Sequence, residues 1–243
     1  MAPANIKKEG AFFDLPIAIG ILTAIENINP NETNNYVFIG ELSLDGKIKK
    51  VNGILPMCIE AKKLGIEKII LPIDNAREAG IVKGIQILPA GTLQEVVSHL
   101  NKEEILDEYI YNEADSNSHE SSKKEIFDFA DVKGQENIKR ALEVAASGSH
   151  NCLLVRKSSA HGKTMMAKRL PGILPDLTFE ESLEITKIHS IAGVLPKNTA
   201  IITKRPFRSP HNTASRNIFN SDGGRVPKPR RNKFSTFWCA FLR

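Results

Sequence analysis

With 243 residues, 41% of them hydrophobic, the chain can build one large core or two modest ones, which excludes wholesale disorder. No apolar run reaches the roughly 18–20 residues that cross a bilayer, and a start carrying Lys7, Lys8 and Glu9 is no secretory signal, so a cytoplasmic protein without a membrane partner is expected. The net charge of +5 invites a nucleic-acid reading, but six basic and no acidic residues lie between Arg225 and Arg243, and without those six the charge is −1.

Residues 1–100 read as an α+β unit. Asp14 to Ile25 is a dense apolar run that predicts a buried helix with Pro16 in its first turn. Tyr36 to Leu44 predicts a strand, and Asp45-Gly46 a tight turn. Gly53 to Leu64 has helical spacing, with Lys62 and Lys63 in the last turn and Gly65 as C-cap. A short buried strand over Lys68 to Leu71, a helix over Ala76 to Val82 and a strand over Ile85 to Leu88 follow. Thr92 with Glu95 forms a capping box for a helix over Leu93 to Leu100.

Residues 101–126 carry eight acidic residues and a polar Ser/Asn/His stretch, the composition of a solvated linker. Beyond it Asn137 to Ser147 is amphipathic, Cys152 to Val155 predicts a short strand, and a helix over Thr164 to Leu170 follows. Cys58, Cys152 and Cys239 stand far apart, with no pair at metal-ligand spacing, so free and mostly buried thiols are expected.

A phosphate-binding loop reads G-x-x-x-x-G-K-[ST] between a strand and a helix. Its glycines let backbone amides reach the phosphates, its lysine neutralises the β and γ phosphates, and its hydroxyl holds Mg²⁺. Here Gly162, Lys163 and Thr164 complete the second half of that motif, but Lys157 stands where the first glycine belongs. A plain β-turn leading into a helix is the bland alternative.

The flanks bear on that choice. Phe129 to Glu136, Lys139-Arg140-Ala141-Leu142-Glu143 and Gly148 to Asn151 resemble the adenine-side segment of AAA+ ATPases. Thr164 to Leu177, His189-Ser190 with Ala192-Gly193, and Arg205 to Ser215 sharpen the likeness, as do Ile6 to Gly10, Phe13 to Gly20, Gly40-Glu41-Leu42, Gly53-Ile54-Leu55-Pro56 and Ile70-Leu71-Pro72. Together they resemble the magnesium-chelatase-like AAA+ ATPases of the YifB or competence ComM type.

The resemblance implies an α/β plus α+β chain. Residues 1–100 would be a partial ribosomal-S5/Lon-like (ChlI-type) domain starting in mid-domain, 101–126 a linker, and 127–229 the N-terminal part of a P-loop AAA+ α/β domain. The cofactor implied is ATP with Mg²⁺, weakly held or lost. Gly162 would give backbone approach, Lys163 would meet the β/γ phosphates, Thr164 would hold Mg²⁺ through the nucleotide, and Val132, Gly134 and Gln135 would lie near adenine. Intact members are expected to form homo-oligomeric rings and, in the competence type, to act on DNA. An AAA+ ATPase also needs an acidic strand, and no Asp or Glu occurs after Asp222. Residues 230–243 (RRNKFSTFWCAFLR) can be back-translated so that a one-base offset reads GEISLAHFGVLF, in the manner of the family's acidic-strand segment. They are expected to be a frame-shifted tail, and the chain to be defective in hydrolysis. The alternatives are a non-enzymatic interaction module or a decayed-gene fragment without function.

Lon-type proteolysis needs a serine nucleophile with a lysine base. At the corresponding places the chain has Ala11-Phe12-Phe13 and Leu55, so a peptidase is not expected. Ser43, Lys62 and Lys63 read as surface residues, and His189 as a helix-end residue with no acid placed to make a triad. Arg205, Arg208 and His211 could touch nucleotide, a neighbouring subunit or DNA, or merely hold a loop. Phe234, Phe237, Trp238 and Phe241 among basic residues mimic a single-strand-binding pattern but read as an accidental apolar tail. Met165 and Met166 read as helix-packing residues.

Overall fold

In the computed structural model, which describes residues 10–112, 127–155, 162–196, 199–208 and 239–240, the chain divides into two units. The first comprises 1–118 with 189–201, the second 119–188 with 202–243.

The first unit is built around a parallel sheet. Helix α1 (Asp14–Ala24) and the single turn α2 (Pro30–Thr33) lead to strand β1 (Tyr36–Phe38). A hairpin of β2 (Glu41–Leu42) and β3 (Ile48–Lys49) precedes helix α3 (Ile54–Lys63). Strand β4 (Lys68–Pro72), the turn α4 (Ala76–Ala79), strand β5 (Gln86–Ala90) and helix α5 (Leu93–Leu100) complete it. The sheet order is β1-β4-β5, parallel throughout, with Val37 opposite Ile69 and Ile69 opposite Ile87.

Alternate residues of a strand face opposite sides of its sheet, and here both sides are covered. Ile70, Leu88 and Ala90 pack with Leu15 and Ile19 of α1 and with Val96 and Leu100 of α5. On the other face Ile69, Leu71 and Ile87 are equally buried. Each such aliphatic side chain contributes about 1.5–3 kcal/mol on burial.

Several sequence expectations are redrawn. The run expected as one strand over Tyr36 to Leu44 breaks at Gly40, whose N–H donates to Phe12 O and whose O accepts from Leu15 N instead of extending the sheet. The following residues then join the separate antiparallel hairpin, closed where Gly46 turns with a φ of +80°. Helix α1 buries only Leu15 and Ile19 and exposes Ile17 and Ile21, with Ile25 exposed at its C-cap, so it is a half-exposed helix rather than a buried one. The helix expected over Ala76 to Val82 is a single α turn preceded by a 3₁₀ turn at Ile73–Asn75. Asn75 is fully buried there, where its side-chain amide donates to Val51 O (2.9 Å) and accepts from Val51 N–H (3.0 Å), serving as a short surrogate strand. Thr92 caps α5 as expected by accepting from Glu95 N–H, while the Glu95 carboxylate reaches one residue further back, to Gly91 N–H.

In the second unit helix α6 (Glu136–Ser147), helix α7 (Gly162–Ile173) and helix α8 (Phe179–Ala192, whose residues 189–192 are assigned to the first unit) are followed by the two-residue strands β6 (Phe207–Arg208) and β7 (Cys239–Ala240), paired in parallel. Its core gathers Phe129, Val132, Leu142 and Met166, flanked by Met165, Leu170 and Ile173. The strand expected at Cys152 to Val155 is not formed: the segment has no regular structure, and Leu153 and Val155 are 87% and 82% exposed. A strand is stable only when a neighbour satisfies its backbone and covers its side chains, and among the described residues none pairs with this one. No described helix is long and apolar enough to cross a membrane.

Candidate functional site

Helix α7 begins at Gly162, which places Lys163 and Thr164 in its first turn, where free backbone N–H groups and the positive end of the helix dipole favour an anion. No acidic residue occupies that turn to neutralise it. The Lys163 side chain is exposed, and Thr164 is half-buried. This donor set suits a phosphate. Lys157 and the rest of residues 156–161 lie outside the described residues.

The base-side candidates are positioned by a short, heavily tied segment. Asp128 caps the 3₁₀ turn Phe129–Asp131 by accepting from Ala130 N–H (2.9 Å), and Asp131 answers by accepting from Asp128 N–H (3.2 Å). Val132 is buried in the same core as Met166 of α7. Gly134 (φ +67°) and Gln135 (φ +60°) then hold left-handed backbone that swings the chain into α6. For glycine that conformation is free, whereas for Gln135 it costs on the order of 1–2 kcal/mol. Both residues are exposed.

Phosphate-side and base-side candidates therefore meet through one hydrophobic cluster: Val132 on one side, and on the other Met166, two residues after Thr164. Met165 and Met166 pack as expected. Arg169 and Gly172, one and two turns further along α7, were not singled out by the motif. Arg169 Nε donates to Asp128 O (2.8 Å), and the guanidinium lies 3.6 Å from the Asp131 carboxylate and 5.2 Å from the Phe127 ring centre. A Cβ on Gly172 would come within 2.9 Å of Phe127 O. The one hint in the sequence was a glycine following Pro171 inside a helical pattern.

A family profile described as magnesium chelatase, subunit ChlI, matches residues 128–231, and one described as subunit ChlI of Mg-chelatase matches residues 1–75. The competence protein ComM of Haemophilus influenzae is 38% identical over 244 residues, covering 100% of this chain and 47% of that one. The uncharacterised protein YifB of Escherichia coli is 40% identical over 233 residues, covering 94% and 43%. The chain belongs to the magnesium-chelatase-like AAA+ ATPase family of the YifB and ComM type. It spans less than half the length of ComM and YifB. A shorter match, 34% over 101 residues, joins 40% of this chain to 18% of Lon protease 2 of Bacillus subtilis.

The other residues considered for a role in this family member are mostly occupied by the fold. Arg205 donates to Pro175 O (2.7 Å) and meets the Glu181 carboxylate (3.3 Å), while Glu181 itself accepts from Thr178 N–H (3.0 Å). That arrangement is the loop-holding reading of Arg205. Arg208 lies in β6, and His211 lies outside the described residues, as do Phe234, Phe237, Trp238 and Phe241. His189 is buried in the last turn of α8, the helix end expected for it.

At the places where a serine–lysine pair would stand, Ala11–Phe13 forms a 3₁₀ turn, and Leu55 is fully buried with its N–H donating to Glu78 Oε1. Ser43 bonds Asp45 and Lys47 O, and Lys62 and Lys63 are exposed and engaged with Lys83 O and Glu60. Cys58 is buried, and burial first, the nearby Glu78 charge second, push its thiol up to about 12. Cys152 is exposed, contrary to the expectation of mostly buried thiols, because the strand it was expected to open is not formed.

Proposed function

We propose that this chain is a nucleotide-binding segment of a magnesium-chelatase-like AAA+ ATPase. In this reading residues 1–100 are part of an S5/Lon-like domain, 101–126 a linker, 127–229 the N-terminal part of the P-loop AAA+ domain, and 230–243 a frame-shifted tail. ATP lies at the start of α7, with Gly162 admitting the backbone, Lys163 on the β and γ phosphates, and Thr164 on a Mg²⁺ carried by the nucleotide. Val132, Gly134 and Gln135 form the base-side wall.

The observation that carries this is the shared cluster of Val132 and Met166, which ties the base-side segment to the helix that opens with Gly162-Lys163-Thr164. Binding is weak because Lys157 replaces a loop glycine, and hydrolysis is defective because residues 230–243 carry no acidic residue in place of the family's acidic strand. The competence name of ComM supports a family role in DNA processing, carried out by a homo-oligomer in the cytoplasm.

A second reading, a non-enzymatic interaction module, is favoured by the exposed Leu153 and Val155, which offer apolar surface to a partner. Titration of the purified chain with a fluorescent ATP analogue separates the two. Saturable, Mg²⁺-dependent binding that disappears in Lys163→Ala supports the nucleotide site. A folded, soluble chain that binds nothing overturns it and leaves the module.

A further inference from the structure

We propose that Arg169 is the positioning residue that couples base recognition to phosphate recognition, with Gly172 as the close-approach point that makes the coupling possible. This rests on the nucleotide-site reading above.

Arg169 does not point at the phosphate side of its helix. Its side chain is 12% exposed and reaches back across the unit to the segment that carries the base-side wall. There it makes three unlike contacts: Nε to Asp128 O at 2.8 Å, the guanidinium to the Asp131 carboxylate at 3.6 Å, and the guanidinium over the Phe127 ring at 5.2 Å. Its remaining arm donates to Met165 O one turn earlier in α7 (3.1 Å), so the same group that grips the segment is braced on the helix that presents Lys163. A planar fork can serve all of these directions, which a lysine's single ammonium cannot.

The partners are not incidental surface groups. Asp128 and Asp131 are the two halves of the capping box that shapes the turn before Val132, so the guanidinium meets both residues that fix that turn. Gly172 supplies an independent observation. The backbone of α7 passes so near Phe127 O that a Cβ there would lie 2.9 Å from a carbonyl oxygen, which no side-chain rearrangement relieves. Arg169 and Gly172 sit three residues apart, on one face of the helix, and both meet residues 127–131.

The consequence is a conformational one. ATP binding needs the segment docked, whereas a bare triphosphate touches only the start of α7. Loosening the dock lowers the population competent for ATP and with it the apparent affinity for ATP alone.

The test compares Mg-ATP with Mg-tripolyphosphate, titrated into the whole chain and its variants. Arg169→Gln and Gly172→Ala are expected to weaken ATP binding about tenfold while tripolyphosphate binding stays within about twofold. Lys163→Ala, by contrast, is expected to lose both ligands. If Arg169→Gln fails to fold by circular dichroism, Arg169→Lys, which keeps the charge and loses the fork, carries the same comparison. Equal weakening of both ligands, or no change in either, overturns the positioning role and leaves the nucleotide site standing. A wild-type chain that binds neither ligand overturns both.

Discussion

Replacing Met166 by alanine tests the link between core and site at its narrowest point. Met166 is 1% exposed and, among the described residues, is one of four buried side chains in the cluster that holds Val132 to α7. Truncation removes three heavy atoms from a packed position. Large-to-small changes of this kind cost about 2–5 kcal/mol, and partly exposed Met165, Leu170 and Ile173 can settle inward, so the lower end applies, about 2–3 kcal/mol. Amide exchange of α6 and α7 should accelerate correspondingly, by roughly 30- to 150-fold, while β4 and β5 in the other unit stay unchanged. Hydrogen-exchange mass spectrometry reads both regions in one experiment. Met165→Ala, at a partly exposed position, should do less. Unchanged exchange in α6 and α7, or equal acceleration in β4 and β5, would refute the claim that this cluster is what joins the two halves of the site.

Two further predictions concern the first unit. Asn75→Ala strands both backbone polar groups of buried Val51 at about 1–3 kcal/mol each, so chemical denaturation should show a loss of about 2–6 kcal/mol, and a loss below 1 kcal/mol would contradict the role given to that amide. His99 accepts from Leu106 N–H at Nδ1 (3.0 Å) and pairs with Tyr36 Oη at Nε2 (3.2 Å). Burial first, and the Lys68 ammonium second, hold its pKa below the usual 6.5. The folded state therefore favours neutral imidazole, its contribution is full above pH 6.5 and is lost as pH falls through the folded value. The melting temperature of the wild type should drop more between about pH 7 and pH 5 than that of His99→Gln, and parallel curves would sink the assignment.

Much of this architecture was legible in local chemistry. The dipeptide Asp45-Gly46, the cap at Thr92, the glycine at Gly65 and the helical spacing of Asn137 to Ser147 all act within a few residues of themselves, and sequence order displays them. Gly162-Lys163-Thr164 was legible for the same reason. What escaped depends on distant partners. The strand over Tyr36 to Leu44 breaks because Gly40 bonds Phe12 and Leu15, a choice made by the start of α1. Cys152 to Val155 has a strand's composition, but composition cannot supply a neighbour to pair with. Arg169 looked like any basic residue on a helix, since its partners Phe127, Asp128 and Asp131 lie some forty residues earlier.

The central claim, that the start of α7 holds Mg-ATP, is tested most directly by thermal melting of the purified 243-residue chain with and without Mg-ATP. A ligand that binds only the native state must stabilise it, by about 2.7 kcal/mol at one hundred times its dissociation constant. The account predicts a melting temperature that climbs with Mg-ATP concentration in the wild type and stays flat in Lys163→Ala. A wild-type transition that does not move, at concentrations where the chain is folded and soluble, or one that moves equally in Lys163→Ala, would contradict it.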